Sequence, residues 1–197
     1  ATFQISPDPL TGVGTLIVVV VRPTPRATLF PGTPHFRSVL LGTYTITETV
    51  APPGYALDDV ASRVITVSSA DLNAVVGTQG SDDSGDTDES DFHNRLGSIA
   101  WEKRATDANP VLLAGATFEI SPNPLTGVGT LIVVDGGAND VDGVANGVLQ
   151  VANVLVGTYT ITEIVAPPGY ALDDVASRSI TVSNADLNAV IGVQGSD

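Results

Sequence analysis

Apolar and polar residues alternate with period two in several short stretches of this chain, and Gly and Pro fall between the stretches. Ser98-Ile99-Ala100-Trp101-Glu102-Lys103 and Thr158-Tyr159-Thr160-Ile161-Thr162-Glu163 show it most plainly. Such runs, rich in Val, Ile, Thr and Tyr and bounded by turn residues, mark β-strands with one buried face. They predict strands near 98–104, 116–121, 129–134, 148–154, 158–165 and 179–184, with another at 91–95. SADLNAVVG at 69–77 predicts a short helix capped by Ser69. No long stretch has helical periodicity, so the expected class is all-β, and the number of short strands suggests sandwiches.

The pattern occurs twice. ATFQISPDPLTGVGTLIVV at 1–19 returns at 116–134 with 17 of 19 residues identical, an offset of 116 − 1 = 115. The same offset carries 42–82 onto 157–197 with 36 of 41 identical. A period of this length fits a whole small domain rather than a solenoid repeat, so two domains in tandem are expected, 1–96 and 97–197. The likeness stops sharply between 20 and 41, where only 3 of 22 residues match 135–156 and the length is unchanged. Two compensating frame shifts in the source DNA would produce that exchange, and so would a diversified loop. A clean reading frame through 20–41 on resequencing would rule out the first.

Composition narrows the function. The chain has 197 residues, 8 Lys and Arg against 22 Asp and Glu, and a net charge of −14, which argues against nucleic acid and anionic membranes as partners. With 43% hydrophobic residues it has material for a packed core. No apolar run is long enough for a membrane helix. Cysteine is absent, so disulfides, thiolate metal sites and thiol nucleophiles are excluded. Methionine is absent too, so residue 1 is read as lying inside a longer protein. The low charged fraction, 15%, and the Thr, Val and Gly content fit an extracellular protein.

Strand parity singles out four polar residues. Lys103 shares a face with Ile99 and Trp101, Glu163 with Tyr159 and Ile161, Glu48 with Tyr44 and Ile46, and Asn94 with Phe92. Burying a lone amine or carboxyl is costly, and bringing them together lets burial leave the amine neutral and the acid protonated. A neutral amine is a nucleophile. Beside a carboxamide polarised by the acid, it can displace ammonia and leave a Lys–Asn isopeptide bond. The plainer alternative is a set of unrelated strand ends whose polar tips reach water.

GSIAWEKR at 97–104, LAGATFEI at 113–120, GTYTITEIVAPPGY at 157–170 and DFHN at 91–94 together resemble the Cna protein B-type, or SpaA-like, domains of Gram-positive surface proteins and pilins. The resemblance implies tandem immunoglobulin-like (prealbumin-like) β-sandwiches, with Lys103 as nucleophile, Glu48 and Glu163 as proton-shuttling acids and Asn94 as acceptor. It implies no cofactor and no enzyme, only a single-turnover crosslink within each module. Both modules are expected to be truncated: the Lys of the first would fall at 103 − 115 = −12 and the Asn of the second at 94 + 115 = 209. The function so implied is a structural stalk or pilin-like repeat of a bacterial cell-surface adhesin. Its partners would be neighbouring repeats and, through a distal domain, a host or matrix ligand. A ligand-binding adhesin module and an accessory domain of a secreted enzyme are the other readings.

Metal chemistry has weaker support. Asp135, Asn139, Asp140, Asp142 and Gly143 loosely follow a calcium loop, but Ala138 stands where an acid is needed. Asp82, Asp83, Asp86, Asp88, Glu89 and Asp91 form an acidic run that reads as a solvated loop. His35 and His93 have no metal-ligand neighbours, and no nucleophile motif of a hydrolase is present.

Overall fold

The computed structural model describes residues 1–19, 39–72, 74, 92–106, 111–137 and 139–191. The chain divides into two compact units, Ala1–Pro53 with Leu57–Arg95, and Leu96–Asp197 with Gly54–Ala56. The described residues contain strands and turns and no helix.

Unit 1 contains β1 (Thr2–Ser6), β2 (Leu16–Val19), β3 (Gly42–Val50) and β4 (Ser62–Val67). They form an antiparallel sheet in the order β2-β1-β3-β4. Unit 2 contains β5 (Gly97–Glu102), β6 (Thr117–Ser121), β7 (Leu131–Val134), β8 (Val148–Val154), β9 (Gly157–Val165), β10 (Ser177–Val182) and β11 (Asn188–Val190). Strands β10-β9-β6-β7 repeat the sheet of unit 1, and β11-β5-β8 make a second sheet.

In unit 2 the apolar residues of the two sheets meet as the layers of a sandwich. Ile99 and Trp101 of β5 and Leu149 and Val151 of β8 join Phe118, Ile120, Val133, Tyr159, Ile161 and Val182 in one buried cluster. The alternation seen in the sequence decides which residues enter it: in β5 every second side chain is buried. Trp101 packs edge-on to Phe118 with ring centroids 5.4 Å apart. Truncating either ring to alanine would cost about 3–5 kcal/mol.

Several boundaries differ from the expectation. The strand expected at 129–134 begins at Leu131, because Gly127 and Gly129, at φ of 78° and 76°, turn the chain just before it. The strand expected at 98–104 ends at Glu102. Lys103 keeps its backbone bonded, its N–H donating to the carbonyl of Gly147 and its carbonyl accepting from the N–H of Leu113. Residues 92–94 are not a strand; the N–H of His93 goes to a side chain, the Asp58 carboxylate, instead of a ladder.

The helix expected at 69–77 involves residues 73 and 75–77, which lie outside the described residues. Its counterpart in unit 2 is a turn, Ser183 to Asp186, followed by β11. The sequence reading missed β11, whose three residues are too few to show a period. It pairs in parallel with β5, with Ala189 opposite Ile99. Gly97 permits this approach, since a Cβ there would lie 2.5 Å from the carbonyl oxygen of Leu187. Residues 20–38 and the acidic run at 82–91 also lie outside the described residues.

Candidate functional site

The central strand of each four-stranded sheet carries one buried carboxylate. In β9, Tyr159, Ile161 and Glu163 face inward together, and in β3, Tyr44 and Glu48 are buried on one face. A bulge sets the register at the acid. The pairing shifts between Thr117 and Phe118, so Phe118 stands opposite Glu163, and the same shift between Thr2 and Phe3 sets Phe3 opposite Glu48. Glu163 is 3% exposed and Glu48 2%. At that burial an acid needs a partner.

In unit 2 the partner is Lys103. Its Nζ donates to Glu163 Oε2 at 3.0 Å and lies 3.0 Å from Oε1 as well. The geometry at Oε1 does not amount to a hydrogen bond, and it accepts none. The backbone N–H of Asp173 gives Oε2 a second donor at 3.0 Å. The Lys103 side chain is only 12% exposed.

In unit 1 the partner is Asn94. Its Nδ2 donates to Glu48 Oε2 at 2.7 Å, and Glu48 Oε1 accepts no hydrogen bond. The four polar residues singled out by parity thus form two pairs, an amine with an acid in unit 2 and a carboxamide with an acid in unit 1. Glu48 and Glu163 are the same position of the repeat, 163 − 48 = 115.

A second group in unit 1 escaped the sequence reading. Arg63 Nη2 donates to Asp58 Oδ2 at 2.9 Å, with side chains 8% and 4% exposed. Asp58 also accepts the N–H of Val60 at 3.0 Å and of His93 at 2.8 Å. The Arg63 guanidinium sits 4.9 Å from the centre of the Phe92 ring, which meets Phe3 edge-on at 5.1 Å. Burial alone would raise the Asp58 pKa, but the N–H groups of His93 and Val60 and the charge of Arg63 outweigh it, and the carboxyl lies below its ordinary 3.8. The only sequence signal was the identity of ALDDVASR at 56–63 and 171–178, which says nothing of what the loop holds.

The acids of the loosely calcium-like loop are engaged by backbone. Asp135 accepts the N–H groups of Gly115, Asn146 and Gly147, and Asp140 those of Gly136 and Gln150. Because Gly147 in turn accepts from the N–H of Lys103, Asp135 braces the strand end that carries the amine. Among the described residues no group of three or more His, Asp or Glu is placed to hold a metal. No helix among them is long and apolar enough to cross a membrane.

The family model described as a SpaA prealbumin-like fold domain matches residues 97–195. No curated protein matches the chain. Among solved structures, a streptococcal ancillary pilin is 22% identical, with 78% of this chain and 42% of that one covered and a TM-score of 0.36. The Bacillus anthracis TIE protein is 18% identical over 96% of this chain and 30% of its own, with a TM-score of 0.46. GBS52, a minor pilin of Streptococcus agalactiae, is 14% identical over 98% of this chain and 80% of its own, with a TM-score of 0.38. The chain spans less than half the length of the first two.

Proposed function

This chain belongs to the family of SpaA prealbumin-like fold domains, and from that premise we propose that it is a stalk or pilin-like segment of a bacterial cell-surface protein, its modules locked by Lys–Asn isopeptide bonds. The observation that carries the proposal is the pair of contacts at one repeat position: Glu163 holds the Lys103 amine at 3.0 Å, and Glu48 holds the Asn94 carboxamide at 2.7 Å. Superposed through the offset of 115, they make an amine, an acid and a carboxamide around one buried carboxyl.

The chemistry is a single acyl transfer. The neutral Nζ of Lys attacks Cγ of Asn while the protonated Glu donates to Oδ1. Glu then carries a proton from Nζ to the departing nitrogen, the Cγ–Nδ2 bond breaks as the carbonyl re-forms and the Oδ1 proton returns to Glu, and ammonia leaves. No cofactor enters, and the protein is consumed as its own substrate, so the step is not enzymatic turnover. We assign Lys103 and Asn94 to the bonds of two successive modules, 97–197 and 1–96, with Glu163 and Glu48 as their respective acids. Covalent closure of each sandwich suits a stalk that bears tension and meets proteases, and neighbouring modules of the same protein are its immediate partners.

The test is the intact mass of residues 97–197 followed by the sequence of 83–96. A mass lower by one ammonia, restored to the full value by Lys103→Ala and by Glu163→Ala, is expected. A full mass in the folded parent would overturn the crosslink and leave a buried polar cluster.

A further inference from the structure

Residues 1–19 differ from 116–134 at two positions, and one of them changes the chemistry of a peptide bond. Asp8 precedes Pro9 where Asn123 precedes Pro124. Both residues open the same turn. Asp8 donates its N–H to the Gly14 carbonyl at 3.1 Å, its own carbonyl accepts from the N–H of Gly12 at 2.8 Å, and its Oδ1 accepts the N–H of Leu10 at 2.8 Å. In unit 2, Asn123 makes the same three bonds with Gly129, Gly127 and Leu125, at 2.8, 2.8 and 2.9 Å. Asp8 alone brings a carboxyl to the turn. We propose that Asp8–Pro9 is a self-cleavage site of unit 1, at which the Asp8 side chain opens its own peptide bond to proline with water as the only co-reactant.

The turn favours this step in three ways. The hydrogen bond from Leu10 to Oδ1 closes a ring around the Asp8–Pro9 peptide, which holds the carboxyl beside the bond to be broken and leaves Oδ2 as the attacking oxygen. The Gly12 N–H already points at the Asp8 carbonyl oxygen, where negative charge grows as the carbon becomes tetrahedral. The Pro9 nitrogen carries no hydrogen and is fully substituted, so it takes up a proton more readily than an ordinary peptide nitrogen. Oδ2 bonds to the Asp8 carbonyl carbon, the carboxyl proton passes to the Pro9 nitrogen, and the C–N bond breaks, leaving a cyclic anhydride on Asp8 and a free amine on Pro9. Water then opens the anhydride to two carboxyl groups. Because the proton must start on the carboxyl, the cleavage belongs to the acid side. Apart from Asp8, neither the turn at 8–14 nor Leu40, whose N–H bonds the Pro9 carbonyl, carries a charge, and among the described residues Asp8 enters no ion pair. Strand β1 lies between β2 and β3, so the cut severs the chain while the sheet keeps the strand in place. The step depends on neither the stalk reading nor the crosslink.

The test is the denatured mass of the whole 197-residue chain after incubation at about pH 5, where carboxyl groups are partly protonated. We expect fragments 1–8 and 9–197, whose masses sum to the parent plus one water. A synthetic peptide of residues 5–12, Ile-Ser-Pro-Asp-Pro-Leu-Thr-Gly, has the same bond without the fold and should be cut about tenfold more slowly. Asp8→Asn should abolish the cut and keep the turn, as Asn123 does in unit 2. Asn123→Asp should add a second cut, after position 123. Thermal unfolding at the same pH verifies that both variants fold. Cleavage of the chain no faster than of the peptide, an undiminished cut in Asp8→Asn, or no second cut in Asn123→Asp overturns the proposal.

Discussion

Asp58→Ala and Asp173→Ala make the same change in two copies of the loop ALDDVASR, yet their costs should differ by several kcal/mol. In unit 1 the change takes the carboxylate from the Arg63 guanidinium, whose side chain is 8% exposed and still donates to the carbonyls of Val60 and Ser62, and removes the acceptor of the Val60 and His93 N–H groups. Breaking a buried pair costs roughly 3–5 kcal/mol, and each orphaned N–H about 1–3 kcal/mol where water cannot replace the acceptor. Both N–H groups are only partly buried, so water recovers some of that, and a total of about 4 kcal/mol is reasonable. In unit 2 the pair is exposed and worth about 0–1 kcal/mol. Against a domain stability on the order of 5–15 kcal/mol, the first change is severe and the second minor. Hydrogen exchange read by mass spectrometry on peptides from β3 and β9 gives the opening free energy of each unit separately. Equal losses in the two units would refute the argument that burial sets the value of the pair. Acidity offers a further check. The depressed pKa of Asp58 means that its stabilisation is fully present above the unfolded value of 3.8 and is lost as the pH falls through the lower folded value. Asp58→Asn should flatten the pH dependence of unit 1 in that range.

Two other substitutions probe unit 2. Burial raises the Tyr159 pKa above 10.0, and its hydroxyl donates to the Leu155 carbonyl at 2.6 Å. Stability from this group is complete below pH 10.0 and declines as the pH climbs toward the folded value, so urea midpoints followed by Trp101 fluorescence should fall across that range. Tyr159→Phe should lose about 1 kcal/mol at neutral pH and show a smaller alkaline decline. Gly97→Ala drives a methyl against the Leu187 carbonyl and Val182, both 2.5 Å from the added carbon, at a cost of about 1–3 kcal/mol. Faster hydrogen exchange in β11 than in β9 is expected, and unchanged exchange in β11 would show that the strand does not depend on this approach.

The sequence by itself determined the repeat, the strand faces and the inward direction of Glu48 and Glu163. These rest on periods of 2 and 115 residues, which are properties of the chain and need no partner to be seen. Strand β8 was legible to the residue because turn signals bound it, although its inward alternation breaks at Asn153, where a bulge returns Val154 to the buried face. What the sequence left open was decided by contacts between distant residues. β11 exists because its three residues find the free edge of β5, and residues 92–94 are not a strand because Asp58, 35 residues away from His93, takes the N–H that a ladder would use. The acids at 135 and 140 resemble metal ligands in one dimension, and the fold turns their oxygens toward backbone N–H groups. Parity says that Lys103, Glu163, Glu48 and Asn94 point inward. Which of them touch, and whether an identical Asp–Arg pair lies buried or exposed, depends on what packs over each site, and that is a property of the tertiary structure alone.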